Sequence, residues 1–254
     1  MKKKKIKIGI IGLGYVGLPL ALACAKHFKT FAFDQNKTRI KTLKKKIDTN
    51  KDINFQNTKC VFESNPNILK DCNIFIITVP TPVDKNNQPD LRNLILASKT
   101  VAGFLKKKDI VIYESTVYPG TTEKICIPLI EKLTSFKSNK DFFFGYSPER
   151  VNPGDKSKSI EKITKIVSGS NKKTLNKINY IYSKIIRAGT FKVKKVIIAE
   201  SAKIIENIQR DVNVALMNEL AVFFEKINVD FPQILEAAST KWNFLKFSPG
   251  LVGG

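Results

Sequence analysis

The fold is decided by the stretch Ile6–Gly17, which reads IKIGIIGLGYVG. Its first half is a short, apolar and mostly β-branched run, and such a run predicts a buried strand. Three glycines, Gly12, Gly14 and Gly17, follow with the spacing G-x-G-x-x-G, and helical residues continue to about Phe28. A strand, a glycine turn and a helix in this order are typical of the first unit of a dinucleotide-binding domain, in which the helix N-terminus binds phosphate.

Asp34 supplies the second half of this prediction. It ends the second predicted strand, Thr30–Asp34, and lies about 20 residues beyond the glycine turn, the usual distance to the residue that binds the ribose. A carboxylate at this position accepts hydrogen bonds from the ribose hydroxyls and repels a 2′-phosphate. The sequence therefore predicts NAD as the cofactor in preference to NADP.

Strands and helices alternate along residues 1–194, which indicates an α/β fold with a doubly wound, mostly parallel sheet of the Rossmann type. After Asp34 the predicted strands are Lys59–Phe62, Asn73–Val79, Asp109–Tyr113, Phe142–Tyr146 and Ile163–Ser168, and the predicted helices are Asn36–Lys46, Leu91–Leu105, Thr121–Leu133 and Lys172–Ile186. We assign residues 1–194 to one NAD-binding domain.

The pattern changes near Lys195. Residues 196–227 contain neither proline nor glycine and carry apolar side chains at helical spacing, so they predict a single helix of roughly 45 Å. A short helix, Pro232–Ser239, and an aromatic loop follow. We assign residues 195–254 to a small helical domain, and the apolar surface of its long helix predicts a homodimer.

The composition excludes several classes of protein. The chain has 254 residues, of which 43% are hydrophobic and 26% are charged, as in an ordinary globular protein. Lys and Arg outnumber Asp and Glu by 44 to 22, but only five of these cations are arginines. We therefore interpret the lysines as solvated surface and expect no nucleic-acid partner. No segment reaches the roughly 20 apolar residues of a membrane span, and we expect no membrane association.

Cysteine and histidine are too scattered to form a metal site or a histidine-based triad. Cys24, Cys60, Cys72 and Cys126 lack C-x-x-C spacing, and His27 is the only histidine, so we expect no metal. Unpaired cysteines are typical of a reducing compartment. We expect a cytoplasmic protein, because the glycine turn also argues against a secretory signal in the apolar stretch that follows the first lysines.

Polar residues follow three of the predicted strands. Thr81, Ser115, Thr116 and Glu149 each come shortly after a strand end, and ligands of a doubly wound sheet bind at the carboxyl ends of its strands. The hydroxyls are candidates for cofactor contact, and Glu149 is a candidate for contact with substrate or water. Ordinary turn chemistry is the alternative, because Ser, Thr and Pro are common in turns.

The long helix carries a polar stripe. Lys203, Asn207 and Asp211 recur every fourth residue, and Asn218 follows seven residues later, so the four side chains share one face. Such a stripe either lines a wet cavity or is a solvated face, and the pattern leaves both open.

Together these segments resemble the UDP-glucose/GDP-mannose dehydrogenase family over essentially the whole chain. The motifs that carry the resemblance are GLGYVGLP at 12–19, VPTP at 79–82, ESTVYPGT at 114–121, SPER at 147–150, AESAK at 199–203, ENIQRD at 206–211 and KWNF at 241–244. The variants VNPGDK at 151–156 and PGLVGG at 249–254 are similar to the branch that oxidises UDP-N-acetylhexosamines.

The resemblance implies an NAD-dependent enzyme of surface polysaccharide precursor synthesis. In the family the C6 alcohol of the nucleotide sugar is oxidised twice, through a thiohemiacetal and a thioester on a cysteine, to a uronic acid. The catalytic residues that the resemblance implies are Thr116, Glu149, Lys203 and Asn207, the last two as stabilisers of oxyanion charge. The implied cofactor residues are Gly12, Gly14, Tyr15, Val16, Gly17, Asp34, Arg39, Thr81, Ser115 and Thr116. The implied substrate residues are Glu149, Arg150, Lys203, Asn207, Asn243 and Phe244.

The chain departs from the family at one point. The nucleophilic cysteine of the family follows the segment that matches Leu251–Gly254, where this sequence ends, and none of the four cysteines matches its position. The nucleotide-sugar-binding domain of the family is also absent from the sequence. We therefore expect an N-terminal portion that is inactive alone. Two alternatives stay open: a β-hydroxyacid-type dehydrogenase that uses Lys203 and Asn207, and an NAD-binding remnant without turnover.

Overall fold

The computed structural model describes residues 5–49, 55, 57–151 and 160–252. Parts of three segments mentioned above lie outside the described residues. They are the lysines at 2–4, residues 152–156 of VNPGDK and residues 253–254 of PGLVGG.

Six parallel strands form the main sheet, in the order β3-β2-β1-β4-β5-β6. They are β1 (Lys7–Ile11), β2 (Lys29–Phe33), β3 (Val61–Glu63), β4 (Ile74–Ile77), β5 (Ile110–Tyr113) and β6 (Phe143–Tyr146). Strand β1 lies between β2 and β4, with Ile10 opposite Ala32 on one side and Ile76 on the other. The strand order reverses there, which makes the carboxyl ends of β1 and β4 the expected ligand-binding edge. The predicted fold class is confirmed.

Both faces of this sheet are covered by apolar layers. Alternate residues of the central strands enter opposite layers: Ile74 and Ile76 belong to one buried cluster, and Phe75 and Ile77 to the other. The helices are α1 (Gly17–Ala25), α2 (Lys37–Lys44), α3 (Arg92–Ala102), α4 (Ile127–Thr134), α5 (Lys172–Ile185), α6 (Val196–Lys226) and α7 (Phe231–Ala238). Because the central strands are buried on both faces, their sequences read as continuous apolar runs.

One predicted strand lies outside the main sheet. The strand expected at Ile163–Ser168 is β7 (Lys165–Val167), and it pairs in parallel with β8 (Thr190–Lys192) in a separate two-stranded sheet. The sequence analysis missed β8, because its three residues are partly or fully exposed and carry no apolar pattern. Beyond β7, backbone N–H groups of Ser168 and Ser170 donate to carbonyls of β6, so this segment runs beside the end of the main sheet.

The chain divides into two compact units, residues 1–203 and 204–254, and the boundary falls inside α6. In the second unit Phe224 of α6 stacks on Phe231 of α7, with 5.6 Å between the ring centroids. Among the described residues, no helix is long and apolar enough to cross a membrane.

Candidate functional site

The glycine turn between β1 and α1 has the geometry of a phosphate cradle. Gly12 has a φ of +94°, which favours glycine, and a Cβ on Gly17 would lie 1.8 Å from the carbonyl oxygen of Gly12. A Cβ on Gly14 would meet no atom of the described residues within 4 Å. Two of the glycines are therefore required by the turn itself, whereas Gly14 leaves open space beside the backbone into which a pyrophosphate fits.

The start of α1 is free to bind an anion. Its N-cap is Val16, which offers no side-chain hydrogen bond to the first turn, and the exposed side chain of Tyr15 stands next to it. The N–H groups of a helix N-terminus carry a partial positive charge. The turn and the helix together therefore fit the pyrophosphate of a dinucleotide.

Asp34, the residue predicted to bind the ribose, lies beside this turn. One of its carboxylate oxygens accepts a hydrogen bond from the backbone N–H of Leu13 at 2.8 Å, and the other accepts from the N–H of Asn36 at 2.8 Å. The Asn36 side chain in turn caps α2 by accepting from the N–H of Arg39 at 3.0 Å. The carboxylate is thus held at the end of β2 with lone pairs left over for ribose hydroxyls.

Arg39 contacts the same turn from α2. Its Nε donates to the carbonyl oxygen of Leu13 at 3.0 Å, and its Nη1 donates to Asp48 at 2.7 Å and to Thr49 at 2.8 Å. Its Nη2 is buried and has no hydrogen-bond partner among the described residues. A buried donor without a partner is costly in a folded protein, and an oxygen of a bound adenosine would satisfy it.

The ends of β4 and β5 are tied to one another. Thr81, after β4, donates to the carbonyl oxygen of Thr116, and Ser115, after β5, donates to the carbonyl oxygen of Val79 at 2.6 Å. Tyr146, at the end of β6, donates to the carbonyl oxygen of Ser115 at 3.1 Å. These reciprocal contacts bring the predicted cofactor residues together at one edge of the sheet, where each hydroxyl keeps acceptor capacity.

Glu149 is buried, and both of its carboxylate oxygens accept hydrogen bonds. Oε1 accepts from the backbone N–H groups of Arg150 and Val151, each at 2.7 Å, and Oε2 lies 3.3 Å from the Nζ of Lys165. The Arg150 side chain donates from Nη1 to the carbonyl oxygen of Thr164 at 2.9 Å.

Lys165 joins Glu149 to a second buried carboxylate, and the sequence analysis missed it. Its Nζ lies 2.7 Å from Glu114, which also accepts from the hydroxyl of Tyr182. Lys165 and Glu114 are almost fully buried. The sequence did contain a signal for this buried ion pair. A lysine lies inside the apolar stretch that forms β7, and lysine is rarely buried without a partner.

The charge states of this cluster follow from burial and pairing. Burial raises the pKa of Glu149, but the Lys165 ammonium and two backbone N–H groups outweigh it, and the pKa lies below its ordinary value. Burial also raises the pKa of Glu114, and this effect outweighs the opposite effect of the Lys165 ammonium, so the pKa lies above its ordinary value. Burial lowers the pKa of Lys165, but the two carboxylates outweigh it and raise the value overall. Glu149 is therefore an ionised acceptor, suited to accept a hydrogen bond from water or substrate, and not a proton donor.

Glu200, in the first turns of α6, explains part of the ESTVYPGT motif. It is fully buried, and its two oxygens accept from the backbone N–H groups of Gly120 at 2.6 Å and of Thr122 at 3.0 Å. Gly120 has a φ of +93°, which is why glycine occupies this turn. The contact fixes the loop that carries Thr116 to the start of α6.

Lys203 and Asn207 lie four residues apart on α6, on either side of the boundary between the two units. Lys203 is half-buried, and the side-chain oxygen of Asn207 accepts from Arg210 at 3.0 Å. Asn218, further along the stripe, exchanges two hydrogen bonds with the backbone of Gly250, which is a structural role. Asn243 is exposed and Phe244 half-buried within the second unit, and their predicted contact with substrate stays a prediction.

A glycine turn with a carboxylate beside it, on a Rossmann-type sheet, is typical of dinucleotide-binding domains, and comparison with known proteins specifies the family. Residues 6–186 match the NAD binding domain of the UDP-glucose/GDP-mannose dehydrogenase family, and residues 198–254 match its central domain. The chain belongs to this family, and the predicted cofactor, NAD, is confirmed by the first match.

Three relatives are particularly similar. The chain is 49% identical over 99% of its length to a UDP-N-acetyl-D-glucosamine 6-dehydrogenase of Pseudomonas aeruginosa, and 50% identical over 98% to one of Salmonella typhi. It superposes with a TM-score of 0.89 and 32% identity on a UDP-D-ManNAc dehydrogenase of Pyrococcus horikoshii, over 98% of this chain and 61% of that one. The chain spans 60% of the length of the first two relatives. These matches favour the nucleotide-sugar assignment over the β-hydroxyacid alternative.

Proposed function

We propose that the chain is the cofactor-binding and central part of an NAD-dependent dehydrogenase that oxidises the C6 alcohol of a UDP-N-acetylhexosamine to the uronic acid. The observation that carries the proposal is the meeting of the glycine cradle, Asp34 and the strand-end residues at one edge of the sheet. UDP-N-acetylglucosamine is the favoured sugar, because the relatives named for it are 49–50% identical and the one named for the mannosamine isomer is 32% identical.

The proposed division of labour follows the chemistry of the residues. The cradle and Asp34 position NAD, which accepts hydride from the sugar. Thr116 and Glu149 serve the reacting end, where the ionised Glu149 accepts a hydrogen bond from water or from the sugar hydroxyl. Lys203 and Asn207 stabilise the oxygen charge that develops as hydride leaves. Arg150, Asn243 and Phe244 are assigned to substrate contact.

Assembly and location are part of the same proposal. Exposed apolar residues on α6 support a homodimer built on the central domain. We keep residues 1–194 as the NAD-binding domain and residues 195–254 as the central helical domain. The four cysteines are buried free thiols, which supports a reducing, cytoplasmic compartment. A role in making surface polysaccharide precursors completes the proposal.

Two measurements test it. Calorimetric titration of the chain with NAD and NADP should give much tighter binding of NAD, and Asp34→Ala should weaken NAD and relax the preference. Asp84→Ala, in an exposed loop, is the matched control and should change neither. Equal affinity of the unaltered chain for both cofactors would contradict the proposal.

The second measurement concerns turnover. We expect the chain, joined to the part of the Pseudomonas aeruginosa relative that it does not span, to form NADH and uronic acid with UDP-N-acetylglucosamine. NAD binding without turnover in that fusion would instead support the non-catalytic alternative.

A further inference from the structure

Arg39 stands at a position where its charge matters for cofactor choice. An arginine near the end of the second strand is the residue that accommodates the 2′-phosphate in NADP-binding domains. Here Arg39 and Asp34 contact the same residue of the glycine turn: the N–H of Leu13 donates to Asp34, and its carbonyl oxygen accepts from Arg39. Opposite charges therefore flank one residue beside the expected ribose.

A third residue, Asp48, takes up the charge of this arginine. Its Oδ1 lies 2.7 Å from Nη1 of Arg39, and the two side chains are only 3% and 10% exposed. Thr49 accepts a second, neutral hydrogen bond from the same nitrogen at 2.8 Å. A buried charge-assisted hydrogen bond of this kind holds the planar guanidinium in one orientation and neutralises its field toward an approaching anion.

The orientation leaves a specific donor available. With Nε on Leu13 and Nη1 on Asp48 and Thr49, the buried Nη2 is the nitrogen without a hydrogen-bond partner among the described residues. The two N–H groups of Nη2, on a guanidinium whose charge is already paired, suit neutral oxygens such as ribose hydroxyls and do not suit a phosphate dianion.

We propose that Asp48 is a positioning residue for cofactor specificity: by pairing with Arg39, it makes that arginine a donor to the unphosphorylated ribose and removes the cation that NADP would need. The inference rests on the proposed function as an NAD-binding protein. It assigns the preference for NAD to two carboxylates, Asp34 through repulsion of the phosphate and Asp48 through the neutralisation of Arg39.

The test is the ratio of the dissociation constants for NADP and NAD, measured by calorimetry on the 254-residue chain. Asp48→Asn keeps a hydrogen-bond acceptor for Nη1 but removes the charge. We expect it to tighten NADP by about tenfold, the effect of freeing one charged hydrogen-bond donor, and to leave NAD within about twofold. Asp48→Glu should retain the original ratio. Thr49→Val, which removes a neutral contact from the same nitrogen, is the matched control and should also retain it.

Dependence on Arg39 separates this role from a structural one. The double variant Arg39→Gln/Asp48→Asn, which has neither the cation nor its counter-charge, should return the ratio to within about twofold of the original. Asp48→Ser, a smaller neutral variant, should shift the ratio in the same direction and replaces Asp48→Asn if that variant fails to fold. The inference is wrong if the folded neutral variants of Asp48 keep the original ratio, or if the double variant binds NADP as tightly as Asp48→Asn does. Failure of the unaltered chain to bind NAD at all would overturn the proposed function and the inference with it.

Discussion

The side-chain nitrogen of Lys165 lies 3.3 Å from Oε2 of Glu149, at the end of a buried chain of contacts that continues to Glu114 and Tyr182. Two carboxylates share one ammonium in this cluster. Glu149, which we assign to the reacting end of the site, is therefore held in place and kept ionised by its buried neighbours.

Removal of this ammonium should destabilise the protein strongly. Lys165→Met would leave two carboxylates buried without a counter-charge, and the loss of one partner from a buried ion pair typically costs about 3–5 kcal/mol. Urea denaturation of the variant and the unaltered chain measures the change. Lys173→Met, at an exposed position on α5, is the control and should stay within about 0.5 kcal/mol. Equal losses for the two variants would show that Lys165 is not a structural counter-charge.

The stability contributed by Glu149 should depend on pH in a defined direction. Its pKa is held below the ordinary value of 4.5, because Lys165 and two N–H groups together outweigh the effect of burial. The carboxylate therefore stabilises the folded state at pH values above 4.5, and this contribution is lost as the pH falls through the lower, folded value.

Glu149→Gln tests this expectation. The difference in unfolding free energy between the unaltered chain and the variant should be largest near neutral pH and shrink in acid. Glu225→Gln, at an exposed position on α6, should show no such trend. A difference that grows as the pH falls would contradict the assigned charge state.

The four cysteines should be unreactive in the folded chain. Burial raises the pKa of Cys60, Cys72 and Cys126 to about 12 in each case, and it raises that of Cys24 well above its usual range. The thiolate is the nucleophile, so at neutral pH none of these thiols forms a thiohemiacetal at a useful rate.

A thiol-specific reagent should label no cysteine of the native chain rapidly and all four after denaturation, which is the internal control. The purified chain should also release no uronic acid from UDP-N-acetylglucosamine with NAD present. Rapid labelling of a single thiol, or any uronic acid product, would refute this.

The sequence was sufficient for the main sheet because its central strands are short, continuous apolar runs between strong turn residues. It was also sufficient for the glycine cradle and Asp34, whose spacing is local. Asp48 and Lys165 escaped prediction for a physical reason: each acts through a contact that only folding creates. Lys46 at a φ of +61° turns the chain so that Asp48 reaches back to Arg39, and Lys165 meets Glu114 across 51 positions of sequence.

The exposed apolar stripe on α6 should mediate self-association. Ile205, Ile208, Val212, Leu216 and Phe223 are each at least half exposed and recur at helical spacing, so they form a continuous apolar face. Light scattering of the chain should give the mass of a dimer, and Val212→Glu combined with Leu216→Glu should give a monomer. Glu225→Gln, an exposed polar position on the opposite side of the same helix, should leave the dimer intact. A well-behaved monomer from the unaltered chain would exclude this interface.

Lys203 and Asn207 should act on reaction rate and not on cofactor affinity. An oxyanion develops when hydride leaves the sugar and again when a thioester is attacked, and an ammonium and an amide one turn apart on α6 are suited to stabilise that oxygen. In the fusion that restores the missing part of the relatives, Lys203→Ala should lower kcat by about 10²–10³-fold, with the NAD dissociation constant nearly unchanged. Asn207→Ala should act in the same direction but less strongly, because it removes a neutral donor.

The control for these variants is Lys45→Ala, which removes an exposed lysine next to α2 and should affect neither kcat nor NAD binding. The comparison decides between the two explanations of the polar stripe. If Lys203→Ala keeps more than about half of the turnover, the decrease is far smaller than that expected for an oxyanion donor. The stripe is then a solvated face. A loss of kcat accompanied by an equal loss of NAD affinity would instead place Lys203 at the cofactor.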